Sequence, residues 1–194
     1  MQEELLATAF AAVKEKHGAE IEELFGLTVE VPALPFPRIP LHEAREIVKA
    51  RGHETARTDG DLDPEGERQV SAYVKETYDH DFVFVTDYHP EIRPFYHMRD
   101  PETGLTKSYD LLYRGTEITT GAQREHRIEV LEQQAVEKGL DLAGLEHYLD
   151  FFRYGVPPHG GFGMGLARVL MLMLGQDSIR EVTFLFRGPT RLAP

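Results

Sequence analysis

The sequence predicts an α+β domain, with helices flanking a mainly antiparallel sheet. Three observations lead to that class. Segments with helical spacing of apolar residues are grouped at the two ends, around a central block rich in aromatic and β-branched residues. Within that block the strand-like runs are split by short glycine turns, as hairpins require, and helices do not alternate with strands as a parallel sheet would need. The length of 194 residues favours one domain with a real core.

The elements follow in order. Gln2 to Phe25 carries Leu5, Leu6, Phe10, Val13, Ile21 and Leu24 near helical spacing, and Gly26 stops it. Residues 31–40 hold Pro32, Pro35, Pro37 and Pro40 and read as an extended connector. Leu41 to Arg51 is a short helix closed by Gly52, Thr58 to Pro64 a polar loop, and Glu65 to Tyr78 another helix. Asp81 to Asp87 is a strand, and Ile92 to Met98 is expected to extend the sheet past Pro90 and Pro94. Asp100 to Gly104 is a turn. Ser108 to Tyr113 and Glu117 to Thr120 form neighbouring strands split at Gly115. Ile128 to Lys138 and Leu142 to Phe152 are helices. A glycine-rich turn, the apolar helix Val169 to Leu174 and a last strand, Val182 to Phe186, complete the chain.

Charge and composition exclude several functions. Acidic side chains number 33 against 21 basic, a net charge of −12, and Lys and Arg form no cluster. Neutralising nucleic-acid phosphates takes such clusters, so independent tRNA or other nucleic-acid binding is not expected. The absence of cysteine rules out disulfides, thiolate metal ligands and a thiol nucleophile. No apolar run approaches a membrane span of roughly 18 residues, and the acidic start lacks a secretory pattern. A cytoplasmic, membrane-free protein is expected.

The chemistry-bearing residues lie in the second half. In His159-Gly160-Gly161-Phe162-Gly163-Met164-Gly165-Leu166-Ala167-Arg168, glycines permit close backbone approach, a helix start offers free N–H groups, and Arg168 adds positive charge. Such a stretch can seat a polyphosphate or be a plain strand-to-helix turn. Asp110 and Glu117 flank the Gly115 turn, so antiparallel pairing brings both carboxylates to one face. Two carboxylates without His or Cys suit Mg²⁺ shared with substrate phosphates; the alternatives are solvated charges or ion pairs to Arg114 and Arg124. Arg124 follows the small residues Gly121 and Ala122, which leave room for a ligand whose carboxylate an arginine fork can grip. Arg93 is a second candidate anion contact, with Tyr96 as a hydroxyl donor; the alternative for Arg124 and Arg93 is an ordinary sheet-surface ion pair. His159 sits at the mouth of the glycine turn, and the other histidines lack metal-ligand spacing.

Taken in order, Pro35-Phe36-Pro37-Arg38-Ile39, Arg93-Pro94-Phe95-Tyr96, Ser108-Tyr109-Asp110, Gly121-Ala122-Gln123-Arg124, Arg153-Tyr154-Gly155 and Pro157-Pro158-His159 resemble the catalytic domain of class II aminoacyl-tRNA synthetases, aspartyl/asparaginyl branch. The glycine stretch to Arg168 resembles that class's third signature motif. Thr86-Asp87-Tyr88 and Gln123-Arg124-Glu125 look asparaginyl, whereas Arg93-Pro94-Phe95-Tyr96 and Ser108-Tyr109-Asp110 look aspartyl. The resemblance implies that Asp110 and Glu117, assisted by Thr120, hold Mg²⁺ on ATP. It implies that Arg124, with Arg93, Tyr96 and Gly121, binds aspartate or asparagine. ATP would lie against Arg168, His159, Gly163, Gly165 and Glu117, with Arg168 and Glu117 carrying catalysis. The implied reaction is attack of the amino acid's α-carboxylate on the α-phosphate of ATP, giving an aminoacyl-adenylate, catalysed mostly by positioning and charge neutralisation.

The resemblance also has gaps. The family's anticodon-binding barrel, first motif and second motif have no counterpart here, so one partial catalytic domain over residues 1–194 is expected. Ala167 stands where the family has an acidic residue, and Phe186 where proline is usual. Missing neighbouring strands would leave a bare sheet edge, which predicts self-association or a partner chain that supplies them. Three readings follow, the first two being a ligase-type domain binding ATP-Mg²⁺ and aspartate or asparagine, and a catalytically inactive truncated paralogue serving as a binding or regulatory module. A piece of a full synthetase is the third.

Overall fold

The computed structural model describes residues 1–55 and 57–193. Six helices and five strands follow in the order α1 (Gln2–Phe25), β1 (Arg38–Pro40), α2 (Leu41–Ala50), α3 (Pro64–Tyr78), β2 (Phe82–Tyr88), β3 (Thr106–Tyr113), β4 (Thr116–Gln123), α4 (Ile128–Glu137), α5 (Glu146–Arg153), β5 (Gly160–Met164) and α6 (Leu166–Met173). The sheet runs β1-β2-β3-β4-β5. Only β1 and β2 are parallel; the other pairs are antiparallel, as the α+β expectation required.

Local signals account for most boundaries. Gly26 ends α1 in the left-handed region, at φ 66°. Asp63 caps α3, its side chain accepting the Gly66 N–H, and Pro64 opens the first turn. Between β3 and β4 a two-residue turn uses Arg114 and Gly115, both at positive φ, the geometry that matches strand twist.

Residues Phe82 to Val85 are all buried because β2 is covered on both faces. Phe82, Phe84, Leu111, Tyr113 and Ile118 pack with Leu6 and Phe10 of α1 and with Val169 and Met173 of α6. Here Phe82 stacks on Tyr113 with ring centroids 4.2 Å apart, a contact worth about 0.5–1.5 kcal/mol beyond area burial. On the opposite face Val83, Val85 and Leu112 meet Leu41, Ala44 and Val48 of α2 and Val70 and Val74 of α3. A smaller cluster of Leu131, Leu149 and Phe152 joins α4 to α5.

Four expectations are corrected. Residues 92–98 do not extend the sheet: Pro90–Ile92 is a 3₁₀ turn, and only a bridge from His97 to Arg124 forms, because Pro90 and Pro94 lack N–H donors. The stretch 142–152 is divided into a 3₁₀ turn, Ala143–Leu145, and α5. Most of the glycine turn is the strand β5. No strand forms at 182–186. Ile179–Val182 is a 3₁₀ turn, and Phe184, 96 % exposed, has no sheet to pack against. The edge strands are β1 and β5, and among the described residues nothing pairs with the outer edge of β5.

Candidate active site

Asp110 and Glu117 lie on one face of the sheet. Asp110 pairs with Thr120 and Leu112 with Glu117, and alternate strand residues share a face. A bulge beside Leu111 and Leu112 sets this up. Without the extra residue, Thr119 would stand opposite Asp110; with it, Thr120 does.

Arg93 reaches this face from beyond the 3₁₀ turn. Its Nη2 donates to Asp110 Oδ2 at 2.6 Å, the two side chains being 11 % and 9 % exposed. Nη1 donates a longer bond to Thr120 Oγ1, at 3.4 Å. The guanidinium carbon lies 3.5 Å from the Tyr88 ring centroid, a cation–π cushion. Arg93 Nε and Asp110 Oδ1 are buried without hydrogen-bond partners.

Glu117 is held by its backbone. Its N–H donates to Glu67 Oε2 at 3.2 Å, and its carbonyl accepts from Arg168 Nη1 at 2.6 Å. Burial, and then the Asp110 charge, raise the Glu117 carboxyl above the usual range. Burial raises the Glu67 carboxyl to about 7 against the pull of the Glu117 N–H, with Glu117, Asp110 and Asp61 adding to the rise. Asp61 is raised by burial, with Asp110 contributing. Four acids thus crowd one region that Arg93, Arg168 and, beside Asp61 at 3.3 Å, Arg57 only partly neutralise. Among the described residues no three His, Cys, Asp or Glu converge as a metal cage. The orphaned Asp110 Oδ1, the Glu117 carboxylate and the Thr120 hydroxyl instead fit a hard cation that takes its remaining oxygens from phosphate and water. Arg114, a possible partner of these acids, pairs with Asp81 at 2.8 Å.

Arg124 continues from the end of β4, clamped on both sides. Its N–H donates to the His159 carbonyl at 2.9 Å, while Met98 N–H bonds Gln123 O and Glu125 N–H bonds Tyr96 O. Its guanidinium carbon lies 4.8 Å from the Tyr96 ring centroid. No carboxylate of the described residues pairs with Arg124, leaving its fork available to an anion. His97, bridged to Arg124, is buried with Nδ1 unpartnered; burial, then Arg124 and Arg93, depress its pKa to about 4. Glu125 is fully buried, taking the Arg127 guanidinium and the N–H groups of His126 and Arg127.

The glycine stretch divides its roles. Side chains added at Gly161 or Gly163 would meet open space, whereas Gly165 sits against the stem of Arg168. His159 is exposed, its ring bonded to the Pro157 carbonyl. Gly121 departs from expectation. A Cβ there would lie 2.5 Å from Cζ and Oη of Tyr109, so the Tyr109 ring takes the room beside it.

Residues 1–187 match the family described as tRNA synthetases class II (D, K and N). The chain belongs to this family. The aspartate–tRNA(Asp/Asn) ligase of Aeropyrum pernix is 46 % identical over 188 residues, which is 96 % of this chain and 42 % of that protein. The aspartate–tRNA(Asp) ligase of Thermococcus kodakarensis is 42 % identical over 99 % of this chain and 44 % of its own length. Among solved structures, the aspartyl-tRNA synthetase of Entamoeba histolytica superposes with a TM-score of 0.90 at 36 % identity, covering all of this chain and 40 % of that one. The asparaginyl-tRNA synthetase of Pyrococcus horikoshii gives 0.85 at 33 % identity, over all of this chain and 46 % of that one. The chain therefore spans less than half the length of these class II relatives.

Sequence reasoning missed Glu67, Asp61, Tyr88 and His97 as members of the site. Glu67 sits in the first turn of α3, where an acid already suits the helix dipole, so nothing local marked it. Tyr88 lies one residue past the expected strand end. His97, an uncharged ring beside two arginines, carried no spacing signal.

Proposed function

We propose that the chain is a partial class II catalytic domain that binds ATP with Mg²⁺ and aspartate or asparagine, the ancestral reaction being aminoacyl-adenylate formation. One observation carries this reading: Asp110, Glu117 and Thr120 share one sheet face, with Arg168 tied to Glu117 at its margin; the Arg124 fork, which follows β4, pairs with no carboxylate of the described residues. Asp110, Glu117 and Thr120 would hold Mg²⁺, which supplies charge neutralisation on the phosphates. Arg168, His159, Gly163 and Gly165 would line the ATP seat. Arg124 would grip the amino acid's side-chain end beside Tyr96, with Arg93 as a second anion contact. The family and the names of its relatives support a ligase-type chemistry acting on aspartate or asparagine.

Calorimetric titration with ATP–Mg²⁺, and separately with aspartate and asparagine, tests the reading. Binding of one amino acid that disappears in Arg124→Ala is expected. Failure of all three ligands to bind would remove it.

A second reading is favoured by the open edge of β5 and by Ala167. The chain then acts as a binding module whose edge is completed by a second copy or by a partner supplying strands. Solution scattering discriminates: association is expected, and a monodisperse monomer with a protected edge would count against it.

A further inference from the structure

The three residues of the proposed Mg²⁺ donor set are not equally fixed. Asp110 lies inside the sheet, paired with Val85 of β2 and Thr120 of β4, and Thr120 is paired with Gly163 of β5 as well. Among the described residues Glu117 has a strand on one side only, Leu112 of β3, because the pairing of β4 with β5 begins at Thr119. It also stands beside the bulge at Leu111 and Leu112, just past the Gly115 turn. Side chains from two helices serve where β5 has ended. Glu67 of α3 accepts the Glu117 N–H at 3.2 Å, and Arg168 of α6 donates to the Glu117 carbonyl at 2.6 Å. The next residue of α3 braces the same turn: a Cβ on Gly115 would lie 2.9 Å from Arg68 Cγ and 3.2 Å from its Cα. Arg168 is half exposed and has a second task in the proposed ATP seat; Glu67 has none.

We propose that Glu67 is the positioning residue for Glu117, fixing the β4 backbone from α3 so that the Glu117 carboxylate stands with Asp110 and Thr120. The inference rests on the reading of those three residues as metal donors. Val70 and Val74 anchor α3 on the sheet beside Leu112, the strand partner of Glu117, so the tie runs from a packed helix. A group that holds a metal ligand from behind sets its orientation, and removing such a group weakens metal binding about 10–100-fold. Glu67 touches neither metal nor substrate in this scheme; it acts through the Glu117 N–H.

The test compares Glu67→Gln with Glu67→Met on the whole chain without nucleotide. Mn²⁺ is the probe, with the free ion followed by electron paramagnetic resonance. Both substitutions remove the same charge at similar length, and only Gln keeps an acceptor for the Glu117 N–H. The difference between them therefore reports the hydrogen bond rather than the local field. Glu67→Gln is expected to bind Mn²⁺ about tenfold more tightly than Glu67→Met. The Glu117 amide should exchange its hydrogen slowly in wild type and Glu67→Gln, and fast in Glu67→Met. Should Glu67→Met lose its circular dichroism spectrum, Glu67→Ala takes its place in both measurements. Equal Mn²⁺ affinity in the two folded variants, or equal exchange at the Glu117 amide, overturns the positioning role and leaves the metal reading standing. No Mn²⁺ binding by wild-type protein, or binding undiminished in Asp110→Asn, sinks the metal reading and this proposal with it.

Discussion

Arg168 and Glu117 are joined through one nitrogen: Nη1 donates to the main-chain oxygen of Glu117 at 2.6 Å and lies 3.8 Å from its carboxylate. The contact ties the guanidinium of α6 to the β4 backbone at Glu117. At 50 % exposure, this ion pair contributes little to folding. Arg168→Ala is expected to change stability in urea by less than about 1 kcal/mol, yet weaken ATP–Mg²⁺ binding at least about tenfold in calorimetry. Equal loss of both would assign Arg168 to the fold.

Gly121→Ala should damage the fold itself. The new Cβ would stand 2.5 Å from the Tyr109 ring atoms and 2.9 Å from Phe162 Cβ. Overpacking of this kind costs about 1–3 kcal/mol. Denaturant melts of Gly121→Ala beside Gly121→Ala/Tyr109→Leu check the cause, since removing the ring should restore most of the loss.

Glu67 ties stability to pH. Its folded pKa of about 7 exceeds the ordinary 4.5, so between those values the folded state binds more protons than the unfolded one. This group's contribution therefore declines as pH rises from 4.5 to 7. Glu67→Gln keeps an acceptor for the Glu117 N–H and removes the buried charge. At pH 8 the variant should be more stable by about 1 kcal/mol, or about 2–4 °C in Tm, with little difference at pH 4. A variant less stable at pH 8 would show that the carboxylate is favourable where it lies.

His97 acts in the opposite sense. Its pKa, depressed to about 4 from 6.5, means that the unfolded chain takes up a proton first as pH falls. The stability linked to a neutral His97 is present above pH 6.5 and is lost as pH falls toward 4. His97→Asn should lower the acid-unfolding midpoint measured by circular dichroism. An unchanged midpoint would place the acid sensitivity elsewhere.

Local signals made much of the fold legible. The stop at Gly26, the proline run before β1, the glycine turn between β3 and β4 and the helix periods of α1 to α4 all act over a few residues. Errors arose where an outcome depended on a distant partner. Residues 182–186 have strand composition but no strand beside them, and 92–98 have strand composition but two prolines. The candidate site was legible as a set of residue types, because Asp110, Arg124 and Arg168 lie in short motifs whose order carried the resemblance, with Glu117 between two of them. The bulge that selects Thr120 and the inward position of Glu67 left no mark in the local pattern.

By itself, the sequence determined the α+β class, the family and the charged groups available to it, since periodicity, turn residues and motif order are written along the chain. Only the tertiary structure decided how those groups are spent. It paired Asp110 with Arg93, which lies 17 residues away, placed the Tyr109 ring over Gly121, drew Glu67 of α3 to the backbone of Glu117, and left one edge of β5 open. The physical reason is that a buried charge takes whichever partner the packed layers bring within reach, and that choice is made across the sheet rather than along the chain.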